Sequence, residues 1–422
     1  MKIPDNIKEI TDTLHSVKAY IYGGAVRDML SGHVPMRCKI AVNAPLSELQ
    51  SLFSKSSFLR GALRATICNT DCRIISLHDN INNLCAHSDF TVNSLAYSPE
   101  TGIIDDFGGA DDVKNKIIRF TQDCEDNLRE NPVIMLRAVR FAAELGYSIA
   151  EDSLELINRC AVFIKYADRY AVMSEMTKLL LSPRPDDFRE LHKLGLLRYI
   201  MPELECCFGQ KQKNKYHIYD VGEHIMNAVK NTSKDYVLRW AALLHDIGKP
   251  LCASTDSNGT IHFYGHHRES RYIADDILHR YGMKPEYIRD ILILIENHDV
   301  RVDPSPVHVK KMMAKTGEEL FDKLMLLQTA DNMAKNPRLF PEKYRRINAA
   351  RNTAKAIIEN GEPYCAAQLG VNAKDLMRIG FRPGKEITET IRILLDEVVH
   401  KSALNRRDYL ITRAKEIKKK RD

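Results

Sequence analysis

The pattern of apolar and polar positions changes near residue 120 of this chain. Before that point, short apolar runs alternate with helical stretches, and the clearest runs are Ala19–Tyr22, Arg37–Val42, 73–77 and 102–105. Bounded runs of this length are typical of strands, so this part predicts a small α/β head. After residue 125 the apolar positions recur with helical spacing, as in 132–145, which has a proline in its first turn. The pattern predicts an α+β fold that is mostly α, in which an elongated helical body follows the head.

Breaks in the same pattern divide the 422 residues into four predicted regions. These are the head at 1–120, a helical neck at 121–205, a helical bundle at 206–345 and a helical tail at 346–422. The second boundary falls in a polar stretch at 205–216 that contains several Gln, Lys and Asn residues. A chain of this length is sufficient for about two to four domains.

The net charge of +6 comes from the last part of the chain. Residues 401–422 contain nine Lys or Arg against three Asp or Glu, so the preceding 400 residues are balanced. Such a cluster either forms a solvated helix end or binds RNA phosphates through counterion release. The ten cysteines show no paired spacing, and no apolar stretch reaches the roughly 18 residues needed to span a membrane. We therefore expect a cytoplasmic protein with no membrane partner.

Six histidine and aspartate residues lie on, or at the end of, helical apolar stripes in the second half of the chain. They are His224, His245, Asp246, His266, His298 and Asp331. Burying such polar groups costs free energy unless something pairs with them. A lone histidine would be interpreted as a satisfied core residue, but six such positions favour a divalent metal ion, for which imidazole and carboxylate are both good ligands. Helical bundles build metal sites in this way.

This stretch resembles the HD-domain phosphohydrolases, whose signature H…HD…D reads here His224…His245-Asp246…Asp331. The resemblance implies one or two divalent ions (Mn, Fe, Ni, Co or Mg), bridged by Asp246, and attack of an activated water on phosphorus. By the same resemblance, His266 and His298 look like the extended form of the site that can hold two metals.

Several neighbouring positions leave alternatives open. Lys249 follows the pair by about one helical turn, and it could either neutralise a substrate phosphate in catalysis or be a solvated lysine. His267 could replace His266 as the ligand, since adjacent residues cannot be distinguished by sequence alone. Three further histidines are predicted to be surface residues, namely His217, His279 and His308.

A glycine pair, Gly23-Gly24, follows the first predicted strand and opens a helix. Glycine here lets backbone amides approach a phosphate, which Arg27 could clamp. Further motifs follow at 89–93 (Asp-Phe-Thr-Val-Asn), 104–109 (Ile-Asp-Asp-Phe-Gly-Gly), 135–141 (Met-Leu-Arg-Ala-Val-Arg-Phe), 216–224 and 375–387. Together they closely resemble the bacterial CCA-adding tRNA nucleotidyltransferases and poly(A) polymerases, including members with an HD domain, over essentially the whole chain.

That resemblance implies a nucleotidyltransferase-like head, a neck that binds RNA and nucleotide, an HD domain and a tail. It implies tRNA, other RNA 3′ ends or nucleotides as partners. The residues it carries over to a nucleotide or RNA cleft are Gly23, Gly24, Arg27, Asp89, Asn93, Arg137 and Arg140.

The head differs from the family pattern at the positions of the family's metal-binding, base-selecting and sugar-phosphate motifs. Arg37 and Lys39 stand at the positions of two aspartates that hold catalytic Mg²⁺. Because Mg²⁺ requires oxygen ligands, we expect no Mg²⁺ at this position. Asn131 and Ile134 replace the Asp and Arg of the base-selecting motif, and His87 stands in the altered sugar-phosphate motif.

Three functions follow as hypotheses. The first is an HD-type metal phosphohydrolase acting on nucleotides or RNA ends, on a nucleotidyltransferase scaffold that has lost its own transferase site. The second is a working CCA-adding enzyme, which would need a metal site not visible in the sequence. The third is a non-catalytic RNA-binding regulatory protein, in which Arg37 and Lys39 bind phosphate. None of these patterns predicts a particular substrate, metal or oligomeric state.

Overall fold

The computed structural model describes residues 3–53, 56–59, 61–121, 125–213 and 216–420. Backbone contacts divide the chain into two compact units, Met1–Ile200 and Met201–Asp422. The division lies close to the boundary predicted near 205, whereas the finer divisions near 120 and 345 stay predictions. In the described part of the chain, no helix is both long enough and apolar enough to cross a bilayer.

A seven-stranded sheet forms the head in the first unit. Its strands are β1 (Ala19–Tyr22), β2 (Arg37–Val42), β3 (Ser56–Leu59), β4 (Ala62–Ile67), β5 (Thr70–Ser76), β6 (Ala96–Ser98) and β7 (Gly102–Ile104). Their order is β3-β4-β5-β2-β1-β6-β7, and β2 and β5 are parallel whereas the other neighbours are antiparallel. In β2, Arg37 and Lys39 are exposed while Cys38 and Ile40 are buried, so the two cations share one face of the sheet.

Helices alternate with the strands of the sheet along the chain, and after β7 they make up most of the first unit. They are α1 (Asp5–Thr13), α2 (Gly24–Leu30), α3 (Leu46–Leu49), α4 (Ile81–Ala86), α5 (Gly109–Asn115), α6 (Glu125–Glu130), α7 (Val133–Leu145), α8 (Glu151–Cys160), α9 (Arg169–Leu180), α10 (Phe188–Lys193) and α11 (Leu197–Ile200). Two short parallel strands, β8 (Ile117–Ile118) and β9 (Ser148–Ile149), flank α7. The amphipathic stretch predicted at 132–145 is α7, which is buried along Met135, Ala138 and Val139.

The second unit is helical apart from one hairpin. Its helices are α12 (Pro202–Glu205), α13 (Val221–Lys230), α14 (Tyr236–Leu244), α15 (His266–Arg280), α16 (Pro285–Asn297), α17 (Pro306–Thr316), α18 (Glu318–Met333), α19 (Phe340–Glu359), α20 (Ala373–Arg378), α21 (Lys385–His400) and α22 (Arg407–Lys419). The hairpin joins β10 (Ala253–Thr255) to β11 (Ile261–Phe263). Aspartates fix the first turns of two helices, because the Asp220 and Asp235 side chains accept hydrogen bonds from backbone amides of α13 and α14.

Two predictions concern the helices in the last part of the second unit. The boundary expected near 345 falls inside α19, which is continuous from Phe340 to Glu359. The basic C-terminal segment is an ordered helix as far as Lys419, since Leu410, Ala414 and Ile417 pack into a core with α21. The last two residues of that segment lie outside the described part of the chain.

Candidate metal centre

Five helices bring the six predicted ligand residues together in the second unit. His224 lies within α13 and Asp331 lies in the last turns of α18, while His245-Asp246 directly follow α14. His266 is the first residue of α15, and His298 directly follows α16. All six residues are at most 8% exposed. The six polar side chains thus lie on the same sides of these helices as the apolar stripes that face the core.

The four histidines share one hydrogen-bonding arrangement. In each, Nδ1 contacts a backbone carbonyl oxygen: Ala334 for His224 (3.2 Å), Ala242 for His245 (2.8 Å), Phe263 for His266 (2.8 Å) and Ile295 for His298 (2.7 Å). Because a carbonyl oxygen only accepts, Nδ1 carries the proton, and Nε2 of the neutral ring presents a lone pair. Metal-binding histidines are held by such contacts.

The Nε2 atoms and the aspartate oxygens form two overlapping groups. One group contains His224, His245, Asp246 and Asp331, the other contains Asp246, His266 and His298, and within each the ligand atoms lie within 4.8 Å of one another. Nε2 of His224 lies 3.1 Å from Oδ2 of Asp246 and 3.0 Å from Oδ1 of Asp331. Nε2 of His266 lies 3.2 Å from the other Asp246 oxygen, Oδ1. Asp246 therefore faces both groups through different oxygens.

Several of these buried atoms have no hydrogen-bond partner within the described residues. They are Nε2 of His224, Nε2 of His245 and Oδ1 of Asp331. Orphaned buried polar atoms are rare in folded proteins, and a bound ion is one of the few causes. Since imidazole and carboxylate are suitable ligands, the residues present fit one or two divalent cations.

The electrostatics of the cluster favour a cation at its centre. Burial disfavours the charged imidazole of His245, but Asp246 and Asp331 outweigh that effect and raise its pKa to about 9. Burial also opposes ionisation of Asp246, yet His245 and Lys249 hold the pKa of Asp246 well below its usual range. Burial likewise opposes ionisation of Asp331, but Lys335 and His224 hold its pKa well below the usual range, so both carboxylates are ionised. A divalent ion would take the place of the proton on His245, as metal binding requires.

Two lysines contact the aspartates directly. Nζ of Lys249 lies 2.6 Å from Oδ2 of Asp246 and 2.9 Å from Oε1 of Gln212. Lys249 is buried, so the alternative of a solvated lysine was wrong. Nζ of Lys335 lies 2.6 Å from Oδ2 of Asp331. Lys335 was not predicted from the sequence, although its position four residues after Asp331 on a helical stretch was a signal for an ion pair.

The histidines near the cluster differ in their placement. His266 joins the second group, whereas His267 only lines the cavity outside it. His217 was predicted to be a surface residue, and this was wrong. Its ring is partly buried, 5.0 Å from the ring of His224, and burial lowers its pKa to about 2. His279 and His308 are exposed, as predicted.

A cavity of about 610 Å³ opens onto the cluster. Its lining includes Asp246, His266 and His298 of the cluster, the lysines Lys249 and Lys335, and the further carboxylate Asp299. Other lining residues are Tyr216, His217, His262, Tyr264 and His267. A small anionic group can therefore reach the ligand atoms from solvent while meeting two lysines.

Gly248 allows the turn after His245-Asp246 to approach α15. Its amide donates to Oγ of Ser270 at 2.9 Å, and a Cβ at this position would lie 2.4 Å from the backbone nitrogen of Ser270. We expect Gly248→Ala to lower the free energy of unfolding by about 1–3 kcal/mol through overpacking, measured as a lower urea midpoint. Gly370→Ala is the matched control, because its nearest neighbour would lie at 3.4 Å. Equal midpoints for the two variants would show that the turn tolerates a side chain.

The predicted cleft residues of the head also converge. A cleft of about 650 Å³ is lined by Gly23, Gly24, Arg27, Asp89, Asn93, Arg137 and Arg140, together with Lys39, Glu175 and Lys178. Gly23 has a φ of 76°, which favours glycine. The Arg27 guanidinium donates to Oδ1 of Asn93 at 2.7 Å and to Oδ1 of Asp28. The side chain expected to clamp phosphate is thus already held by its neighbours.

The head cleft does not fit a Mg²⁺ ion. Its lining carboxylates, Asp89 and Glu175, each lie 2.5 Å from an arginine, Arg137 and Arg140 respectively. Lys39 projects where a metal-binding aspartate was expected from the family resemblance. Both groups of metal-capable side chains found among the described residues lie in the second unit.

Comparison with protein families gives three matches in sequence order. They are the poly(A) polymerase head domain at 69–119, the probable RNA- and SrmB-binding site of polymerase A at 146–207, and the HD domain at 215–336. The A-adding tRNA nucleotidyltransferase of Deinococcus radiodurans is 28% identical over 90% of this chain and 91% of its own length. The chain is thus similar to the tRNA nucleotidyltransferases and poly(A) polymerases along most of its length.

Other tRNA nucleotidyltransferases show the same similarity. The CC-adding tRNA nucleotidyltransferase of Thermus thermophilus is 28% identical over 75% of this chain and 76% of its own length. The structure of the Bacillus stearothermophilus CCA-adding enzyme in complex with CTP matches with a TM-score of 0.74 at 21% identity, covering 99% of both chains. This likeness confirms the predicted fold, a small nucleotidyltransferase-like head followed by a helical body with an HD domain.

Proposed function

We propose that this protein is a metal-dependent phosphohydrolase whose chemistry takes place at the centre formed by His224, His245, Asp246 and Asp331. The observation that supports it most strongly is the orientation of the histidines. Each of the four rings has Nδ1 directed to a backbone carbonyl and Nε2 directed to a buried carboxylate. A bound divalent ion would supply a Lewis acid and lower the pKa of a coordinated water.

Residues of this chain would hold the ions, position the carboxylates and stabilise the charge of the phosphate. The first group would hold one ion, and His266 and His298 would hold a second through the shared Asp246. Lys249 fixes the Asp246 carboxylate at 2.6 Å, and it lines the cavity where a substrate phosphate would enter. Lys335 would hold Asp331 and add positive charge on the opposite side. Two fixed ammonium groups stabilise negative charge that develops on phosphate oxygens.

The substrates we propose are phosphomonoesters or phosphodiesters of nucleotides and RNA ends, including 2′,3′-cyclic phosphates. The cavity size of about 610 Å³ is that of a small-molecule site, and its lysines suit an anionic phosphate. The rest of the chain, which is similar to tRNA nucleotidyltransferases, would supply RNA or nucleotide binding.

A substrate panel tests this proposal. Purified full-length protein, loaded in turn with Mn²⁺, Ni²⁺ or Mg²⁺, is expected to release phosphate or open a cyclic phosphate on at least one member of the panel. His245→Ala is expected to lower that rate by about 100-fold or more, whereas the exposed His279→Ala should leave it unchanged. No turnover by the wild type with any metal would reject the hydrolase, and salt-sensitive tRNA binding would then favour the regulatory hypothesis.

The second candidate is a nucleotidyltransferase that acts on the 3′ end of tRNA. The names of the relatives support this alternative better than they support the hydrolase, since the Deinococcus and Thermus proteins are A-adding and CC-adding tRNA nucleotidyltransferases. The geometry of the head weighs against it, because Lys39 and two arginine-paired carboxylates line the cleft. Addition of CTP or ATP to tRNA lacking its CCA end distinguishes the two candidates.

A further inference from the structure

Three cationic side chains occupy directly opposed positions on neighbouring strands of the head sheet. Arg64 of β4 pairs with Arg73 of β5, and Arg73 pairs with Lys39 of β2. Opposed residues project from the same face, with Cβ atoms about 5 Å apart, and like charges in this arrangement destabilise a sheet. We refer to Arg64, Arg73 and Lys39 as the cation row.

The cation row has no carboxylate partner within 4 Å in the part of the chain that the structure describes. The same exposed face carries a fourth cation, Arg37, and it stands opposite Asp71. Asp71 is the only acidic residue in the sequences of β2, β4 and β5. Among the residues of these three strands, cations therefore exceed carboxylates on this face.

Lys39 connects the cation row to the head cleft. It lines the cleft beside Arg137, which is paired with Asp89, so Lys39 is the lining cation that lacks such a partner among the described residues. Partial burial lowers the pKa of Lys39, and the charge of Arg73 lowers it further, while Asp89 opposes these effects. A bound anion would relieve the repulsion and hold the ammonium in its charged form.

We propose that the cation row, together with the adjoining head cleft, binds an extended phosphate anion without a metal ion. Guanidinium and ammonium groups are the donors that proteins use to hold phosphate oxygens directly. A divalent cation at the same place would be repelled by Lys39 and Arg73, so protein cations take over the charge neutralisation that a metal would otherwise provide. The ligand class is a chain of phosphates with three or more negative charges, either inorganic or part of a nucleotide.

Calorimetric titration of the full-length protein with inorganic triphosphate in EDTA tests this proposal. Binding is expected in EDTA, and Mg²⁺ should leave it unchanged or weaken it, because Mg²⁺ neutralises the ligand. Lys39→Ala and Arg73→Ala should each lower the affinity about tenfold or more, as loss of a charge-assisted contact does. Lys114→Ala, which removes the same charge from an exposed position of α5 outside the cleft, is the matched control and should change little. Binding that requires Mg²⁺, or equal binding by all three variants, would overturn the proposal.

Two further titrations test the role of charge at Arg73 and the source of the phosphate. Arg73→Lys keeps the charge and should retain most of the affinity that Arg73→Gln loses, so equal losses in both would overturn the proposal.

Titrations with ATP and with an RNA lacking terminal triphosphate identify the source of the bound phosphate. Binding of ATP as well as triphosphate supports a nucleotide ligand, whereas binding of the RNA alone would overturn the proposal in favour of an RNA-backbone site. EDTA removes metal from the second unit, so the titrations in EDTA do not depend on the proposed hydrolase activity, and the Mg²⁺ titration is carried out in an Asp246→Ala background for the same reason.

Discussion

Replacement of Asp246 by alanine is expected to abolish divalent metal binding by this protein, and any phosphate ester hydrolysis with it. Asp246 is the single residue common to both groups of ligand atoms, facing His224 and His245 through Oδ2 and His266 and His298 through Oδ1. Its loss removes a carboxylate ligand from each group at once. No neighbouring aspartate within these groups can replace it at both positions, because Asp331 belongs to the first group alone.

Metal content measured on a series of purified variants provides the test. Wild-type protein is expected to hold up to two ions per chain after dialysis against Mn²⁺. His298→Ala should lose the ion of the second group and keep the first, whereas Asp246→Ala should hold neither. His279→Ala, an exposed histidine on the same unit, should match the wild type. The expected order of metal content is therefore wild type, then His298→Ala, then Asp246→Ala. An Asp246→Ala protein that keeps its metal would contradict the ligand assignment.

The core of this site could be predicted from sequence because helical periodicity fixes which side chains face inward. His224, His245 and Asp331 each stand three or four residues from buried apolar positions, and they turn inward as that spacing requires. The choice between His266 and His267 required the structure. Ser270 lies four residues after His266 and is buried, which places His266 rather than His267 on the inner face of α15.

Other features depend on contacts that no local pattern encodes. His217 was predicted to be exposed because polar residues surround it, yet tertiary packing sets its ring against His224. Lys335 follows Asp331 by four residues, which indicates an ion pair, but the burial of Asp331 within that pair depends on tertiary packing. The strands β3, β4 and β6 were missed for a related reason. Their short, mixed sequences gain strand structure from pairing with neighbours, as propensity in sheets depends on context.

In the head sheet, too, some features could be predicted from local sequence, whereas others depend on how the strands pair. The family resemblance predicts that Arg37 and Lys39 stand at the positions of two aspartates, and the bounds of β2 were predicted correctly. It did not reveal that Arg73 and Arg64 stand beside Lys39 on the next two strands, since strand pairing is a property of the folded sheet. The accumulation of charge across three strands is therefore visible only in the structure.

A tRNA that lacks its CCA end is expected to remain unextended when incubated with this protein, CTP, ATP and Mg²⁺. A divalent ion about 4 Å from a single lysine ammonium is repelled by roughly 8 kcal/mol at an effective dielectric constant of about 20. That penalty opposes Mg²⁺ binding beside Lys39, and the carboxylates lining the cleft are already paired with arginines. The assay is read as nucleotide incorporation on a sequencing gel, with the CCA-adding enzyme of Bacillus stearothermophilus as the positive control. Extension by the wild type would establish the transferase and show that the metal ligands lie elsewhere.

A double variant, Arg37→Asp with Lys39→Asp, separates the effect of these two charges from the rest of the head. It replaces two cations by two carboxylates on the same exposed face of β2, so Mg²⁺ binding at the head is expected to become favourable. Mg²⁺ titration of the variant, carried out in an Asp246→Ala background to silence the second unit, should show a site that the single Asp246→Ala protein lacks. Recovery of Mg²⁺ binding without nucleotide addition would place the remaining defect at Asn131 and Ile134, the positions that the family resemblance assigns to base selection. Failure to bind Mg²⁺ would mean that the charges of Arg73 and Arg64, and not the two substituted positions alone, keep the metal out.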